Sequence, residues 1–150
     1  MKKYCKITPE GTRDLLFEEC LTYRNIEKLL AGVFQSRGFH EVITPGLEYY
    51  DVFSQGESSI PQEFMFKVTD NKGRLMVVRP DSTLPIARLT ATRLQNELKP
   101  LRLFYTQKVY HNYPGLRGRK NEINQSGIEL LGASGVRADL EVLSTAGEAL

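Results

Sequence analysis

Disulfide and metal chemistry are nearly closed to this chain by what it lacks. Its 150 residues hold two cysteines, two histidines and no tryptophan. Cys5 and Cys20 form no CxxC pair, so they read as reduced thiols of a cytosolic protein. His40 and His111 are far apart and have no cysteine beside them, which argues against zinc. No apolar run approaches the roughly 20 residues of a membrane span. Met1-Lys2-Lys3-Tyr4 lacks the apolar stretch of a signal peptide. A net charge of +2 is too small to argue for nucleic acid. What is there is ordinary for a globular chain, 41% hydrophobic and 25% charged, and long enough to bury one core. One domain, 1–150, is expected, located in the cytoplasm, with no membrane contact.

Apolar periodicity divides the chain. A loop-like segment, Thr8 to Asp14, leads into a helix with Tyr23, Ile26, Leu30 and Val33 spaced by three and four, and Gly38 is its stop. His40 to Thr44 is strand-like, ended by Pro45. Phe64 to Val78 reads as a hairpin turning on Asp70-Asn71-Lys72-Gly73. A helix follows with Leu84, Ala87, Ala91, Leu94 and Leu98 on one stripe, and Pro85 is tolerated in its first turn. Leu101 to Tyr110 and Glu122 to Leu131 read as two long strands joined by a Gly-rich basic loop. Leu101, Leu103, Tyr105 and Val109 share one face. Ala138 to Leu150 has helical spacing at Leu140, Leu143, Ala146 and Leu150. This order predicts a mixed, mostly antiparallel sheet with helices packed on it.

Two segments point to an amino-acid pocket. Arg79-Pro80-Asp81-Ser82-Thr83 places a carboxylate and two hydroxyls where a helix begins. Asp81 and Thr83 can cap that helix, or hold an ammonium ligand. Gln125 and Glu129 are four apart on a strand and face the same way, with Gly127 between them leaving room for a ligand. Such a pair is expensive to bury without partners. Solvation of that face, or pairing of Glu129 with an arginine, would equally satisfy them. Arg117, Arg119 and Lys120 at the hairpin tip suit a phosphate clamp or a solvated turn. No helix follows that loop, which argues against a P-loop.

Some of these residues carry a family resemblance. Arg37-Gly38-Phe39-His40-Glu41-Val42-Ile43-Thr44-Pro45, with Glu48 after it, resembles motif 1 of class II aminoacyl-tRNA synthetases, a dimer-interface element there. Val109 to Glu129 is similar to motif 2. Within the class the chain resembles histidyl-tRNA synthetase and its non-catalytic paralogue, the regulatory subunit of ATP phosphoribosyltransferase. Pro9 to Leu16, Asp81-Ser82 in place of the ligases' Glu-Gly, and Pro85-Ile86-Ala87-Arg88 favour the paralogue. Ligase motif 2 has an arginine that grips the ATP α-phosphate and a glutamate that reads adenine. Those positions align with His111 and Tyr113. A histidine has no bidentate fork, and a phenol is not a carboxylate.

The resemblance implies an α+β fold, a class II synthetase-like and mostly antiparallel sheet flanked by helices. It implies the N-terminal portion only, ending before the third motif. It implies a regulatory protein that catalyses nothing and uses no cofactor or metal. Its partner would be a short-form ATP phosphoribosyltransferase catalytic subunit, acting at the first step of histidine biosynthesis. L-histidine would be the effector, on Asp81, Thr83, Gln125 and Glu129, and the chain would form a homodimer within a hetero-oligomer without tRNA. The alternatives are a fragment or divergent form of histidyl-tRNA synthetase, and a dimerisation module without a ligand.

Overall fold

A computed structural model describes residues 4–54, 60–115 and 118–150. Arg117, at the tip of the basic loop, lies outside them.

The longest element is a two-stranded ribbon. β5 (Leu101–Tyr110) and β6 (Glu122–Leu131) pair antiparallel over their whole length, from Leu101 opposite Leu131 to Tyr110 opposite Glu122. Side-chain alternation gives the ribbon two faces. Odd-numbered residues turn Leu103, Tyr105, Gln125, Gly127 and Glu129 to one side. Even-numbered residues turn Phe104, Lys108, Asn124 and Ile128 to the other. A short strand, β1 (His40–Glu41), pairs parallel with β5, His40 opposite Leu103.

Two helices cover the even face. α1 (Phe17–Ser36) and α4 (Val136–Ala149) pack there around Phe34, Phe39 and Phe104, with Leu30, Ile128 and Ala149 against them. α1 ends as its sequence predicts. Gly38 takes the left-handed conformation, φ +80°, and Phe39 N–H returns to the Phe34 carbonyl at 3.0 Å. The inward face of α1 includes Tyr23, Leu30 and Val33, but Ile26 is half exposed.

A second, smaller sheet has the order β2–β4–β3, built from β2 (Leu47–Tyr49), β3 (Lys67–Thr69) and β4 (Leu75–Val78). The predicted hairpin is its β3–β4 half. Asp70 Oδ1 accepts from the Lys72 and Arg74 N–H groups at 2.8 and 2.9 Å, and Gly73 supplies φ +76°. α2 (Asp51–Ser54) contributes Phe53 to a core with Met65 and Val77. α3 (Thr83–Arg93) bridges the two units. Leu84 packs on that core, and Ile86 on Leu103 and Tyr105 of the ribbon.

Two helical stripes differ from expectation. In α3 the buried residues are Pro85 and Ile86. Ala87 and Ala91 face outward, and Leu98 lies beyond the helix, 92% exposed. In α4, Leu140, Leu143, Ala146 and Leu150 also face outward, while Thr145 is fully buried beside half-buried Ala138, Glu141 and Val142. The inward side carries small residues, with Ala149 packed on the phenylalanine cluster, and along it Arg102 pairs with Glu141 at two points and Arg37 with Glu148. The expected single sheet is two three-stranded sheets, one with a parallel pair.

Candidate functional site

The loop between β4 and α3 is held by buried polar groups. Arg79 is 5% exposed. Its guanidinium donates to the Thr44 and Pro45 carbonyls at 2.6 and 3.0 Å and to the Lys108 carbonyl at 2.6 Å. Burial pulls its pKa below the ordinary value. Ser82 is fully buried and accepts from Gln107 Nε2 at 2.9 Å, whose other contact is the Thr44 hydroxyl at 3.0 Å. His111 Nε2 meets the Pro80 carbonyl at 2.8 Å. A carbonyl only accepts, so that nitrogen carries the proton.

This framework brings Asp81 and Thr83 over the odd face of the ribbon, opposite Gln125 and Glu129. All four predicted residues meet there. Asp81 Oδ2 accepts from the Thr83 N–H at 2.9 Å, from the position before the N-cap Ser82. The other Asp81 oxygen accepts from Gln125 Nε2 at 3.3 Å. The Thr83 hydroxyl donates to Glu129 Oε1 at 2.9 Å. Among the described residues, Glu129 forms no ion pair with an arginine.

The chemistry is that of an acceptor cluster. Gln125 Oε1 is buried without a hydrogen-bond partner. With the Asp81 carboxylate it offers two acceptors to an ammonium group. Burial raises the pKa of Glu129, the Thr83 hydroxyl lowers it, and nearby Asp81 raises it again. A partly desolvated carboxylate of that kind suits a ring N–H donor.

One feature corrects the sequence reading. The space above Gly127 is not empty. A Cβ there would stand 2.5 Å from the Tyr105 hydroxyl oxygen and 2.7 Å from its Cζ. Tyr105 lies directly across the ribbon, is 6% exposed, and packs with Ile86 and Leu103. Strand alternation alone placed it among apolar neighbours. The signal available was its pairing with a glycine between two polar residues.

The degenerate motif positions are occupied by local contacts. Tyr113 lies between Phe64, at 5.2 Å between ring centroids, and the Arg119 guanidinium, 4.8 Å from its ring. His111 meets Tyr113 edge-on, and its Nδ1 is buried without a partner. Arg119 of the basic loop thus rests on an aromatic face. Asn121 ties this region to the N-terminal segment. It accepts from the Tyr113 N–H at 3.2 Å and donates to the Glu10 carbonyl at 3.1 Å.

On the even face, a cleft of about 660 Å³ opens between the start of α1 and the ribbon, lined by Arg13, Tyr23, Arg24, Glu27, Lys108 and Glu122 among others. Its charges are largely paired, Arg24 with Glu27 and Lys108 with Glu122. Among the described residues no cluster of His, Cys, Asp and Glu is arranged for a metal ion, and no helix is long and apolar enough to cross a membrane.

The chain is 49% identical over 150 residues to the ATP phosphoribosyltransferase regulatory subunit of Clostridium acetobutylicum, covering all of this chain and 36% of that protein. It thus spans about a third of the length of such relatives. Among solved structures it superposes on an ATP phosphoribosyltransferase regulatory subunit/histidyl-tRNA synthetase from Bacillus halodurans C, with a TM-score of 0.90 and 36% identity over 99% of this chain and 38% of that one. It also superposes on apo histidyl-tRNA synthetase from S. aureus, with a TM-score of 0.80 and 27% identity over 95% of this chain and 33% of that one. Residues 11–150 match the family described as histidyl-tRNA synthetase, and the chain belongs to that family.

Proposed function

We propose that this chain serves as part of a non-catalytic regulatory subunit of ATP phosphoribosyltransferase. It acts with a short-form catalytic subunit at the first step of histidine biosynthesis, in the cytoplasm, and as a homodimer within a hetero-oligomer. L-histidine is its effector. The effector's ammonium meets Asp81, Thr83 and Gln125, and its imidazole N–H meets Glu129. The name borne by relatives up to 49% identical supports the regulatory role.

The observation that carries the non-catalytic reading is the fate of His111. At the position where ligases use arginine on a phosphate, this chain has a ring whose Nε2–H is spent on the Pro80 carbonyl. Two positions on, Tyr113 is held between Phe64 and Arg119. Neither group is a preorganised cation or adenine acceptor. Loss of such a cation at a developing phosphate charge typically costs several kcal/mol of transition-state stabilisation.

Reconstitution tests the reading. The chain, extended to the length of its relatives, is mixed with a short-form catalytic subunit, and phosphoribosyl-ATP formation is followed. Stimulation that histidine reverses is the expected result, and absence of stimulation overturns the reading. Histidine-dependent pyrophosphate exchange into ATP, at a ligase-like rate, would instead establish the histidine–tRNA ligase alternative.

A further inference from the structure

We propose that Gln107 is a positioning residue of the amino-acid site: by gripping Ser82 from the ribbon, it sets Asp81 and Thr83 against Gln125 and Glu129. This rests on the histidine reading of the site given above.

The geometry begins with a serine that does not cap. Ser82 is the N-cap residue of α3, yet its side chain makes no capping hydrogen bond. A serine there ordinarily accepts from an N–H of the first helical turn. Here the fully buried hydroxyl accepts from Gln107 Nε2 at 2.9 Å instead. Asp81 and Thr83 flank Ser82 in the chain, so this contact fixes the backbone between two site residues.

The Gln107 amide has one satisfied orientation. The Thr44 N–H meets Oε1 at 3.3 Å and can only donate, which fixes the end of the amide that is oxygen. The NH2 group then has two protons for two hydroxyl acceptors, Ser82 at 2.9 Å and Thr44 at 3.0 Å. Thr44 is itself buried, and its carbonyl accepts from Arg79 at 2.6 Å. A polar network satisfied in this way is rigid. Arg79 thus secures the approach to the loop, and Gln107 secures the site residues.

The ribbon grips the loop twice. Gln107 stands directly opposite Gln125 on the odd face. Gln125 Nε2 donates to Asp81 Oδ1 at 3.3 Å. Two opposed glutamines therefore hold consecutive residues, Ser82 and Asp81. Gln125 does so with its Oε1 buried and without a partner, the acceptor assigned above to the ammonium. That oxygen and the Asp81 carboxylate converge on one ligand group only while the loop keeps its place over the ribbon. The same placement keeps the Thr83 hydroxyl 2.9 Å from Glu129 Oε1.

The test is a double-mutant cycle read by calorimetric titration of L-histidine, on the protein extended to the length of its relatives. The variants are Gln107→Met, Ser82→Ala and the double variant. Gln107→Met should weaken binding about fivefold, the size of one net hydrogen bond, and Ser82→Ala by a similar factor. In the Ser82→Ala background Gln107→Met should change affinity less than twofold, because the contact is already lost. Phe34→Leu, in the core on the other face of the ribbon, controls for stability. It should lower the melting temperature and leave histidine affinity unchanged. The proposal is overturned by an equal loss from Gln107→Met in both backgrounds, by unchanged affinity of either single variant, or by a matching loss in Phe34→Leu. Failure of the unaltered protein to bind histidine would sink the histidine reading itself, and this proposal with it.

Discussion

Glu129 and Gly127 show at the scale of single residues what the site demands of the fold. Burial is the largest influence on Glu129 and raises its pKa from 4.5. A carboxylate raised in the folded state holds its proton more tightly there than when unfolded. Stability therefore falls as pH rises through the window above 4.5, and the penalty is absent below it. Glu129→Gln should raise the urea midpoint at pH 7, with the difference shrinking toward pH 4.5, while histidine binding is lost. Gly127→Ala acts through volume. Its Cβ meets a buried ring rather than a flexible side-chain end, and overpacking of this kind costs about 1–3 kcal/mol. Thermal unfolding should show that loss. The participation of Gln125 and Glu129 was legible from four-residue spacing on a strand. That Tyr105 fills the space above Gly127 was not, because period-two alternation tells which face a residue takes and not where its ring comes to rest.

Helices α1 and α4 were predicted as elements with little difficulty, and their facing was harder to read. α1 follows its apolar spacing and ends where Gly38 permits the left-handed turn. Its interior holds Gly32, at which an added Cβ meets nothing within 4 Å. Gly32→Ala should therefore stabilise the chain by about 0.5–1 kcal/mol, the usual helix-interior difference, seen as a higher melting temperature. In α4 the more hydrophobic stripe is the outward one, and the inward side carries Thr145, Ala149 and the ion-paired Glu141. In α3 the buried residues are Pro85 and Ile86, directly before Ala87, so the helix is rotated away from the alanine stripe. A helical repeat has several possible rotations. Which one is realised depends on cations and rings supplied by other elements, and these are invisible to a window of local sequence.

Arg79 belongs to the scale of the whole molecule, since it joins the two sheets at the loop that leads to the site. It links the chain after β1, through Thr44 and Pro45, to the backbone of β5 at Lys108. Arg79→Lys keeps the charge but replaces a planar fork by a single nitrogen, which cannot serve all these carbonyls. Each buried acceptor left unpaired costs about 1–3 kcal/mol. We expect a loss of roughly 2–3 kcal/mol in chemical denaturation, together with weaker histidine binding, because Asp81 and Thr83 follow directly in the chain.

By itself the sequence determined the order of the longer elements, the long β5–β6 ribbon, the α+β class and the four residues that meet at the site, but not β2 and α2, which are too short to carry a periodic signal. What it determined depends on alternation, helical spacing, turn chemistry and motif residues, all of which are local in the chain. The tertiary structure alone decided that there are two sheets rather than one, which way α3 and α4 face, and that Tyr105 fills the space above Gly127. It also turned His111 into a strut for the Pro80 carbonyl. Those outcomes depend on contacts between residues far apart in sequence, whose energies exist only once the chain has brought them together.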